Sequence, residues 1–378
     1  MNPFDRTVIA DGAAFCDRQE QLDTLFKHAQ SGANVVVFGP RRYGKTSLVR
    51  RAQQRFRDES GGITMYADFY RVTSVESIVD RIARGLYQDI AKHKSLIERS
   101  KDWLYSLRDY RPVMRPDPSA SGGIAYSVEK IASRPPLELL RNVLEDVGRF
   151  AERHDKMIFV ALDEFQDVTD LGDPEVEAVM REIIQFQKRV AYVFAGSRRR
   201  VLVQMFADRG RPFFHSAHMM EITTLPPEDL KFFIVERFRS QGRICEEDAA
   251  QAIIELSQCA PYYAQALGFE AYALEDGDCT PDIVRRAFER VLESEKNGYE
   301  AILRGLSNSQ VDVLEALAKK PTESPSGKDF LTRTGLSANG ALSALAKLQN
   351  LDLVEQGRKK RWRLVDPVLA AWLVKTRG

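Results

Sequence analysis

The segment from Gly39 to Thr46 has the residue types and the spacing of a loop that binds phosphate. Its sequence, GPRRYGKT, fits the pattern G-x-x-x-x-G-K-[ST]. An apolar, β-branched run at residues 34–38 precedes it, and residues 47–56 after it have helical spacing. Glycines let the backbone curl so that several N–H groups point at one anion, and a helix N-terminus adds partial positive charge. The flanking strand and helix favour a P-loop over a coincidental glycine-rich turn.

The side chains of this loop define the ligands that it can hold. Lys45 would reach the β- and γ-phosphates of a nucleotide, and the hydroxyl of Thr46 would ligate magnesium. The sequence therefore predicts a site for ATP or ADP with Mg²⁺. The residues expected to contact the nucleotide are Gly39, Pro40, Arg41, Arg42, Tyr43, Gly44, Lys45, Thr46 and Ser47.

A second cluster decides whether the nucleotide is cut or only held. The run MIFVALDEFQDV places Asp163 and Glu164 directly after six apolar residues. A carboxylate at the mouth of a buried strand is costly unless a cation compensates it. Asp163 would hold Mg²⁺ through water, and Glu164 would orient or deprotonate the attacking water. Ser197 ends the next buried strand and is a candidate contact for the γ-phosphate or the water; an ordinary acidic strand end is the alternative.

The composition of the chain excludes several classes of protein. The chain has 378 residues, enough for two or three domains, and its 55 basic and 54 acidic residues create no global field for polyanions. Four scattered cysteines without C-x-x-C spacing indicate reduced thiols rather than disulfides or a zinc site. We find no secretory h-region and no run of 18 apolar residues, so we expect a cytoplasmic protein without a membrane partner.

The first 220 residues alternate strand-like runs with amphipathic helical stretches, which is typical of a parallel sheet covered on both faces. The sequence predicts an α/β fold with a five-stranded parallel sheet. The candidate strands are residues 35–38, 63–68, 157–162, 192–195 and 218–222. Prolines and glycines at residues 108–136 exclude a helix there and predict a flexible loop or a small hairpin insertion.

The last 150 residues have a helical pattern. Helices are predicted at residues 229–241, 246–258 and 262–275, and a long one begins after Thr280, an N-cap followed by proline. From residue 306, three short helices precede a hairpin that turns at Gly357, the order of a winged helix-turn-helix. We therefore predict three domains: a P-loop ATPase core at residues 1–224, a helical lid at 225–305 and a winged helix at 306–378.

The order of these motifs resembles the prokaryotic, archaeal-type AAA-like P-loop ATPases that are related to STAND and origin-recognition ATPases. The resemblance is carried by the P-loop, LDEFQD, FAGSRRR, RGRPFFHSAHMMEITTLPPEDL and CAPYYAQAL, and by the entry stretch FCDRQEQLDTLF. It covers nearly the whole chain, and it implies a five-stranded AAA+ core, a helical lid, and ATP with Mg²⁺. It also implies that Arg18 and Glu20 lie near the nucleotide base and that Pro261 packs on it.

Two positions depart from the pattern of this family. Ser216 stands where archaeal relatives usually carry an arginine that reaches a neighbouring subunit's nucleotide. Arg209 and Arg211, just upstream, are the candidates to replace it in a homo-oligomer. Cys259 stands where the family tends to have glycine, two residues before the lid proline, which affects the expected lid geometry but not nucleotide binding.

The C-terminal segment has a charge excess that bears on its partners. Residues 306–378 contain 12 basic and 7 acidic residues. Five of the cations surround Trp362 in the predicted wing: Arg358, Lys359, Lys360, Arg361 and Arg363. They suit contacts with DNA phosphates. The expected recognition helix offers only Asn339 and Lys347 to base edges, so we expect non-specific duplex DNA or a protein as partner.

Three arginines and two tyrosines have less specific explanations. Arg198, Arg199 and Arg200 at a helix start are more often a solvated face than a phosphate or DNA contact. Tyr262 and Tyr263 are better explained as lid core than as a stacking platform.

The sequence favours an ATP-dependent molecular switch with slow, partner-regulated hydrolysis, in which the winged helix transmits the nucleotide state. The alternative is a DNA-associated AAA+ ATPase resembling initiator or transposition-helper proteins. A third class, a scaffold that holds nucleotide without turnover, requires Glu164 to be misplaced.

Overall fold

The computed structural model describes residues 2–4, 16, 18–92, 107–116, 124–274, 277–357 and 360–377. These residues form two compact units. The sheet unit comprises Arg18–Gly39 and Lys45–Ile222, and the helical unit comprises Met1–Asp17, Pro40–Gly44 and Thr223–Gly378. The chain therefore passes from one unit to the other and back within the predicted P-loop. The three-domain division at residues 224 and 305 stays a prediction.

The sheet unit is built on five parallel strands in the order β2-β5-β6-β1-β7. The strands are β1 (Val35–Phe38), β2 (Ile63–Asp68), β5 (Ile158–Asp163), β6 (Val190–Gly196) and β7 (His218–Glu221). Every residue of β5 and β6 is buried, which explains why both strands are continuous apolar runs. The predicted five-stranded parallel sheet is confirmed, with strand ends that differ from the prediction by at most two residues.

Helices cover the sheet, and the same unit contains a hairpin. The helices are α1 (Gln19–Ser31), α2 (Lys45–Ser60), α3 (Val75–Lys92), α4 (Pro136–Arg153), α5 (Pro174–Ile184) and α6 (Arg199–Ala207). A two-stranded antiparallel hairpin joins β3 (Tyr110–Pro116) to β4 (Ile124–Lys130). Of the two alternatives predicted for residues 108–136, a flexible loop or a small hairpin, the structure contains the hairpin. Residues 117–123 lie outside the described part of the chain.

Four helices open the C-terminal part of the helical unit. They are α7 (Pro227–Arg239), α8 (Glu247–Ser257), α9 (Pro261–Leu274) and α10 (Pro281–Arg304). Thr280 caps α10 as predicted, because its side chain accepts a hydrogen bond from the backbone N–H of Ile283. Each observed helix matches a predicted one within two residues; residue 275, where the third was expected to end, lies outside the described residues. Among the described helices none is both long and apolar enough to cross a bilayer.

The C-terminal segment forms the predicted winged helix. Its elements are α11 (Asn308–Lys319), α12 (Lys328–Thr334), α13 (Ala338–Asn350), β8 (Val354–Gln356), β9 (Trp362–Leu364) and α14 (Pro367–Arg377). The backbone N–H of Ser307 donates to the side chain of Gln310 at 2.9 Å, which fixes the start of α11. The sequence did not indicate α14: its run PVLAAWLVK is apolar with no polar face and lacks helical periodicity.

Candidate nucleotide site

The segment predicted to bind phosphate connects β1 to α2. Gly39 is required by a close approach, since a Cβ atom at this position would lie 2.3 Å from the carbonyl oxygen of Ile222. Arg42 (φ 67°) and Gly44 (φ 82°) both have left-handed backbone conformations, which curl the chain between strand and helix. Lys45 is the first residue of α2 and is only 6% exposed. A buried lysine at a helix N-terminus, after a curled loop, is the arrangement that binds an anion.

Thr46 and Asp163 come together in the sheet unit. The hydroxyl of Thr46 donates to Oδ2 of Asp163 at 2.7 Å, and the hydroxyl of Tyr66 donates to the same oxygen at 2.7 Å. Asp163 ends β5, Tyr66 lies in the neighbouring strand β2, and Thr46 is the second residue of α2, which follows β1. Three elements of the sheet unit therefore supply the group. Burial, followed by the charge of Asp163, raises the pKa of Tyr66, and its hydroxyl therefore remains a donor at neutral pH.

This group of oxygens fits the ion that the sequence predicts. A carboxylate and a hydroxyl in contact are hard oxygen donors, which Mg²⁺ prefers, and a nucleotide-bound Mg²⁺ takes few ligands from the protein. Among the described residues there is no cluster of three His, Cys, Asp or Glu side chains that would form an all-protein metal cage. Thr46 and Asp163 are therefore the residues that would hold the ion beside a nucleotide.

Glu164 and Ser197 also meet in the sheet unit. The hydroxyl of Ser197 donates to the Glu164 carboxylate at 3.1 Å, its backbone N–H donates at 3.3 Å, and Gln166 donates through its side-chain amide. Glu164 has a left-handed backbone conformation (φ 49°), which turns the chain sharply at the end of β5. Ser197 is fully buried. The carboxylate is thus held by three donors at the edge of the sheet where Thr46 and Asp163 meet.

The arginines proposed to act across a subunit boundary lie after α6. Arg211 forms an ion pair with Glu177 of α5, which is nearly buried, whereas Arg209 is exposed. Ser216 donates its hydroxyl to the carbonyl of Phe213 at 2.7 Å. Arg211 therefore has a structural partner in its own chain, and Arg209 is the more accessible of the two candidates.

Arg18 and Pro261 begin helices in different units. Arg18 precedes α1 in the sheet unit, has a left-handed conformation (φ 77°) and is 6% exposed. Pro261 is the first residue of α9 in the helical unit. Their expected roles at the nucleotide base stay predictions, and Phe15 of the entry motif lies outside the described residues.

Sequence reasoning missed two side chains that hold the acidic residues, Tyr66 and Gln166. Tyr66 lies in the predicted strand ITMYAD, where an aromatic residue resembles ordinary core. Its polar end is visible only once β2 pairs with β5, which places Tyr66 beside Ala161 and near Asp163. Gln166 lies within LDEFQD, and its position close to Glu164 in this motif is the signal that could have indicated its role.

Arg198 has a specific partner as well. It pairs with Asp170 at 2.7 Å, so at least this member of the arginine cluster is an ion-paired residue at the start of α6.

The five-stranded parallel sheet, the P-loop after β1 and the winged helix define the class of this protein: an AAA+-like P-loop α/β domain with a C-terminal winged helix. Residues 16–194 match the family model described as AAA ATPase domain. Residues 297–375 match the model described as probable winged helix domain. The chain thus carries both domains. No curated protein matches it.

Three solved structures of archaeal proteins are similar to this chain in fold. The Walker-type ATPase PABY2304 of Pyrococcus abyssi is similar with a TM-score of 0.72 and 17% identity, covering 98% of this chain and 99% of that one. The ORC2 protein of Aeropyrum pernix, solved in ADPNP–ADP complexes, has a TM-score of 0.61 and 16% identity, over 99% and 96% of the two chains. The ORC1 protein of Aeropyrum pernix, solved with DNA, has a TM-score of 0.50 and 12% identity, over 96% and 93%.

Proposed function

We propose that this protein is a magnesium-dependent ATPase that acts as a molecular switch, and that its winged helix couples the nucleotide state to a partner. The observation that carries the proposal is the hydrogen bond between Thr46 and Asp163, with Glu164 held beside it by Ser197. A loop that binds phosphate without hydrolysing it would need only residues such as Lys45 and Thr46. The two additional carboxylates at the strand end are the groups that hydrolysis requires.

Each residue of the site has a separate task. Lys45 is buried and would balance phosphate charge, and the left-handed backbone at Arg42 and Gly44 would allow N–H groups of the loop to converge on an anion. Thr46 and Asp163 would hold Mg²⁺, and the ion would supply positive charge to the phosphate oxygens.

Glu164 is the general base in this proposal. Its carboxylate orients water and accepts a proton from it, and the two donors from Ser197 fix the position of the carboxylate. Because Ser197 and Gln166 already hydrogen-bond the carboxylate, turnover is expected to be slow until a partner changes the site. Arg209 or Arg211 of a second copy would stabilise charge that develops in the transition state, which makes a homo-oligomer the active form.

The proposal is tested by nucleotide binding and hydrolysis in the full chain. Lys45→Ala should abolish ATP binding or weaken it severely, because a cation is removed from a low-dielectric site. Lys27→Ala, at an exposed lysine of α1, is the matched control and should bind as the wild type does. Calorimetry with a non-hydrolysable ATP analogue measures both. Near-wild-type affinity in Lys45→Ala would overturn the assignment.

A DNA-associated AAA+ ATPase is the second candidate, favoured by the charge of the wing. Lys360 and Arg361 are exposed, whereas Arg363 is paired with Glu355 at 2.7 Å, and Arg358 and Lys359 lie outside the described residues. The exposed positions of α13 are poor in base-reading groups: Asn339, Leu342, Ser343, Ala346, Lys347 and Asn350. ATPase rate and particle mass, measured with and without duplex DNA, separate the two candidates, since only the second expects DNA to stimulate turnover.

A further inference from the structure

Arg42 of the predicted phosphate loop belongs to the helical unit and is bound there by three side chains. Its guanidinium donates to the hydroxyl of Tyr263 at 2.7 Å and pairs with Glu295 at 2.9 Å. The guanidinium carbon also lies 4.4 Å from the centre of the Tyr262 ring. Tyr262 and Tyr263 begin α9, and Glu295 lies in α10. An arginine that sequence reasoning assigned to the nucleotide is therefore already occupied by a carboxylate and two aromatic rings.

The hydrogen bonds continue from Tyr263 into the winged helix. The hydroxyl of Tyr263 donates to Oδ2 of Asp366, and the hydroxyl of Tyr299 approaches the same oxygen at 3.3 Å. Oδ1 of Asp366 accepts the backbone N–H groups of Val368 and Leu369, each at 2.9 Å. Asp366 thus caps α14, the C-terminal helix of the winged helix. Three side chains, Arg42, Tyr263 and Asp366, connect the phosphate loop to the start of that helix.

The electrostatics of this connection depend on Arg42. Tyr263 and Tyr299 are each 2% exposed, and the side chain of Glu295 is 11% exposed, so the polar groups lie in a poorly solvated region. Burial raises the pKa of Asp366, while Tyr263, the backbone N–H groups and the charge of Arg42 favour its ionised form. Arg42 therefore contributes positive charge to two carboxylates, Glu295 and Asp366, and its removal would disfavour the ionised form of both.

The packing around these residues leaves room for movement. A cavity of about 460 Å³ is lined by Arg42, Tyr263, Glu295, Tyr299 and Asp366, together with apolar residues from the end of α10 and from the winged helix. A close-packed interior resists small displacements, whereas side chains beside a void can change rotamer without overlapping their neighbours. The side chain of Arg42 is itself 38% exposed.

We propose that Arg42, Tyr263 and Asp366 form a relay through which occupancy of the phosphate loop loosens the start of α14. The relay rests on the proposed ATP-binding function. The negative charge of a bound triphosphate competes with Glu295 for Arg42, and once Arg42 moves, Tyr263 and Asp366 lose their cation. Because coupling between two sites is reciprocal, breaking the relay at its centre should strengthen nucleotide binding.

The test is hydrogen exchange of the full chain with and without a non-hydrolysable ATP analogue and Mg²⁺. In the wild type, the analogue should increase exchange at residues 366–377. In Tyr263→Phe, which removes one hydroxyl, exchange there should be raised without the analogue and should not rise further. Tyr272→Phe is the matched control, since this tyrosine of the same helix stacks with Arg243 at 3.7 Å and should leave the wild-type response intact.

Calorimetry on the same samples supplies the second readout. Tyr263→Phe should bind the analogue about fivefold more tightly than the wild type or Tyr272→Phe, the lower end of typical couplings. Asp366→Asn is the substitute variant if Tyr263→Phe does not fold. It breaks the relay at its far end and keeps an oxygen for the helix cap, and the same increases in exchange and affinity are expected for it. A wild type that binds no analogue overturns the proposed function. A wild type that binds it with unchanged exchange in α14, or equal affinities throughout, overturns the relay alone.

Discussion

Thr46 and Asp163 are 117 residues apart in the chain, and their side chains are joined by a hydrogen bond of 2.7 Å. Strand β6 lies between β5 and β1 in the sheet, and Ser197, the residue that follows β6, hydrogen-bonds Glu164 next to Asp163. Thr46 and Asp163, which would hold a cation, therefore lie at the same end of the sheet as the proposed base Glu164 and its hydrogen-bond donor Ser197. Their separate tasks can be distinguished by substitution.

Replacing Asp163 with asparagine should affect the metal more than the nucleotide. The amide keeps the shape of the side chain but loses the charge that would hold Mg²⁺ through water, so the Mg²⁺ concentration for half-maximal turnover should rise about tenfold or more. Tyr66→Phe is the control, because it removes one donor to Asp163 and leaves the carboxylate. Titration of ATPase rate against Mg²⁺ gives both values. An unchanged Mg²⁺ requirement in Asp163→Asn would show that the ion is held elsewhere.

Glu164→Gln should retain ATP and stop its hydrolysis. Glutamine has the shape of glutamate but cannot accept the proton, and a general base contributes about 10² to 10⁴ in rate. Ser197→Ala should lower turnover by a smaller factor with unchanged affinity, because it removes only the side-chain donor to Glu164. Single-turnover hydrolysis and analogue binding measure the two effects separately. If Glu164→Gln hydrolyses ATP normally, the base has been assigned to the wrong residue.

The sequence predicted the sheet well because buried parallel strands are continuous apolar runs. Strand β5 is such a run, and Asp163 ends it, so the composition indicated both the element and its acidic end. Strand ends were predicted less well: β6 begins at Val190, two residues before the predicted start, since Val190 and Ala191 also pair with β5.

Contacts between distant parts of the chain could not be predicted in this way. Arg42 and Tyr263 are 221 residues apart, and nothing in RRYG or PYYA indicates that one binds the other. The same holds for Arg211, which the sequence offered only as a candidate finger, while the fold brings Glu177 to it. Periodicity reports which faces are apolar, whereas partner choice among charged residues depends on how elements cross in space.

Arg211→Ala should lower the stability of the chain as well as its turnover. It would leave the nearly buried carboxylate of Glu177 without its cation, at a cost of about 1–3 kcal/mol. Arg209→Ala removes an exposed side chain and should lower turnover with little change in stability if Arg209 is the arginine that acts across a subunit boundary. Chemical denaturation and ATPase rate are measured together. Full-rate hydrolysis by a monomer that lacks both arginines would exclude this role.

Asp366 should make stability depend on pH. Its pKa is raised by burial in the folded state, so its contribution to stability is present below the unfolded pKa and is lost as pH rises through the folded pKa. The groups that face it are Tyr263, Tyr299 and, through them, Arg42 and Glu295. As pH rises above about 4, the ordinary pKa of an aspartate, the free energy of unfolding of Asp366→Asn should therefore increase relative to that of the wild type. Denaturant midpoints across this range give the difference; a constant difference would contradict the shift.

The wing offers a test of DNA contact in which two neighbouring arginines differ. Arg361 is exposed, whereas Arg363 is paired with Glu355. If the wing binds duplex phosphates, Arg361→Gln should reduce the slope of log affinity against log salt by about 0.9, and Arg363→Gln should change it less.

Neutralising all five wing cations, including Arg358 and Lys359, should weaken binding about equally for every DNA sequence, because phosphate contacts carry no sequence information. Fluorescence anisotropy with duplexes of different sequence measures both slope and selectivity. Tight, sequence-selective binding that survives high salt would contradict the expectation from α13, whose exposed face offers few base-reading groups. If the wing instead restrains the ATPase, DNA binding is negligible in every variant and the basal ATPase rate rises when the five cations are neutralised.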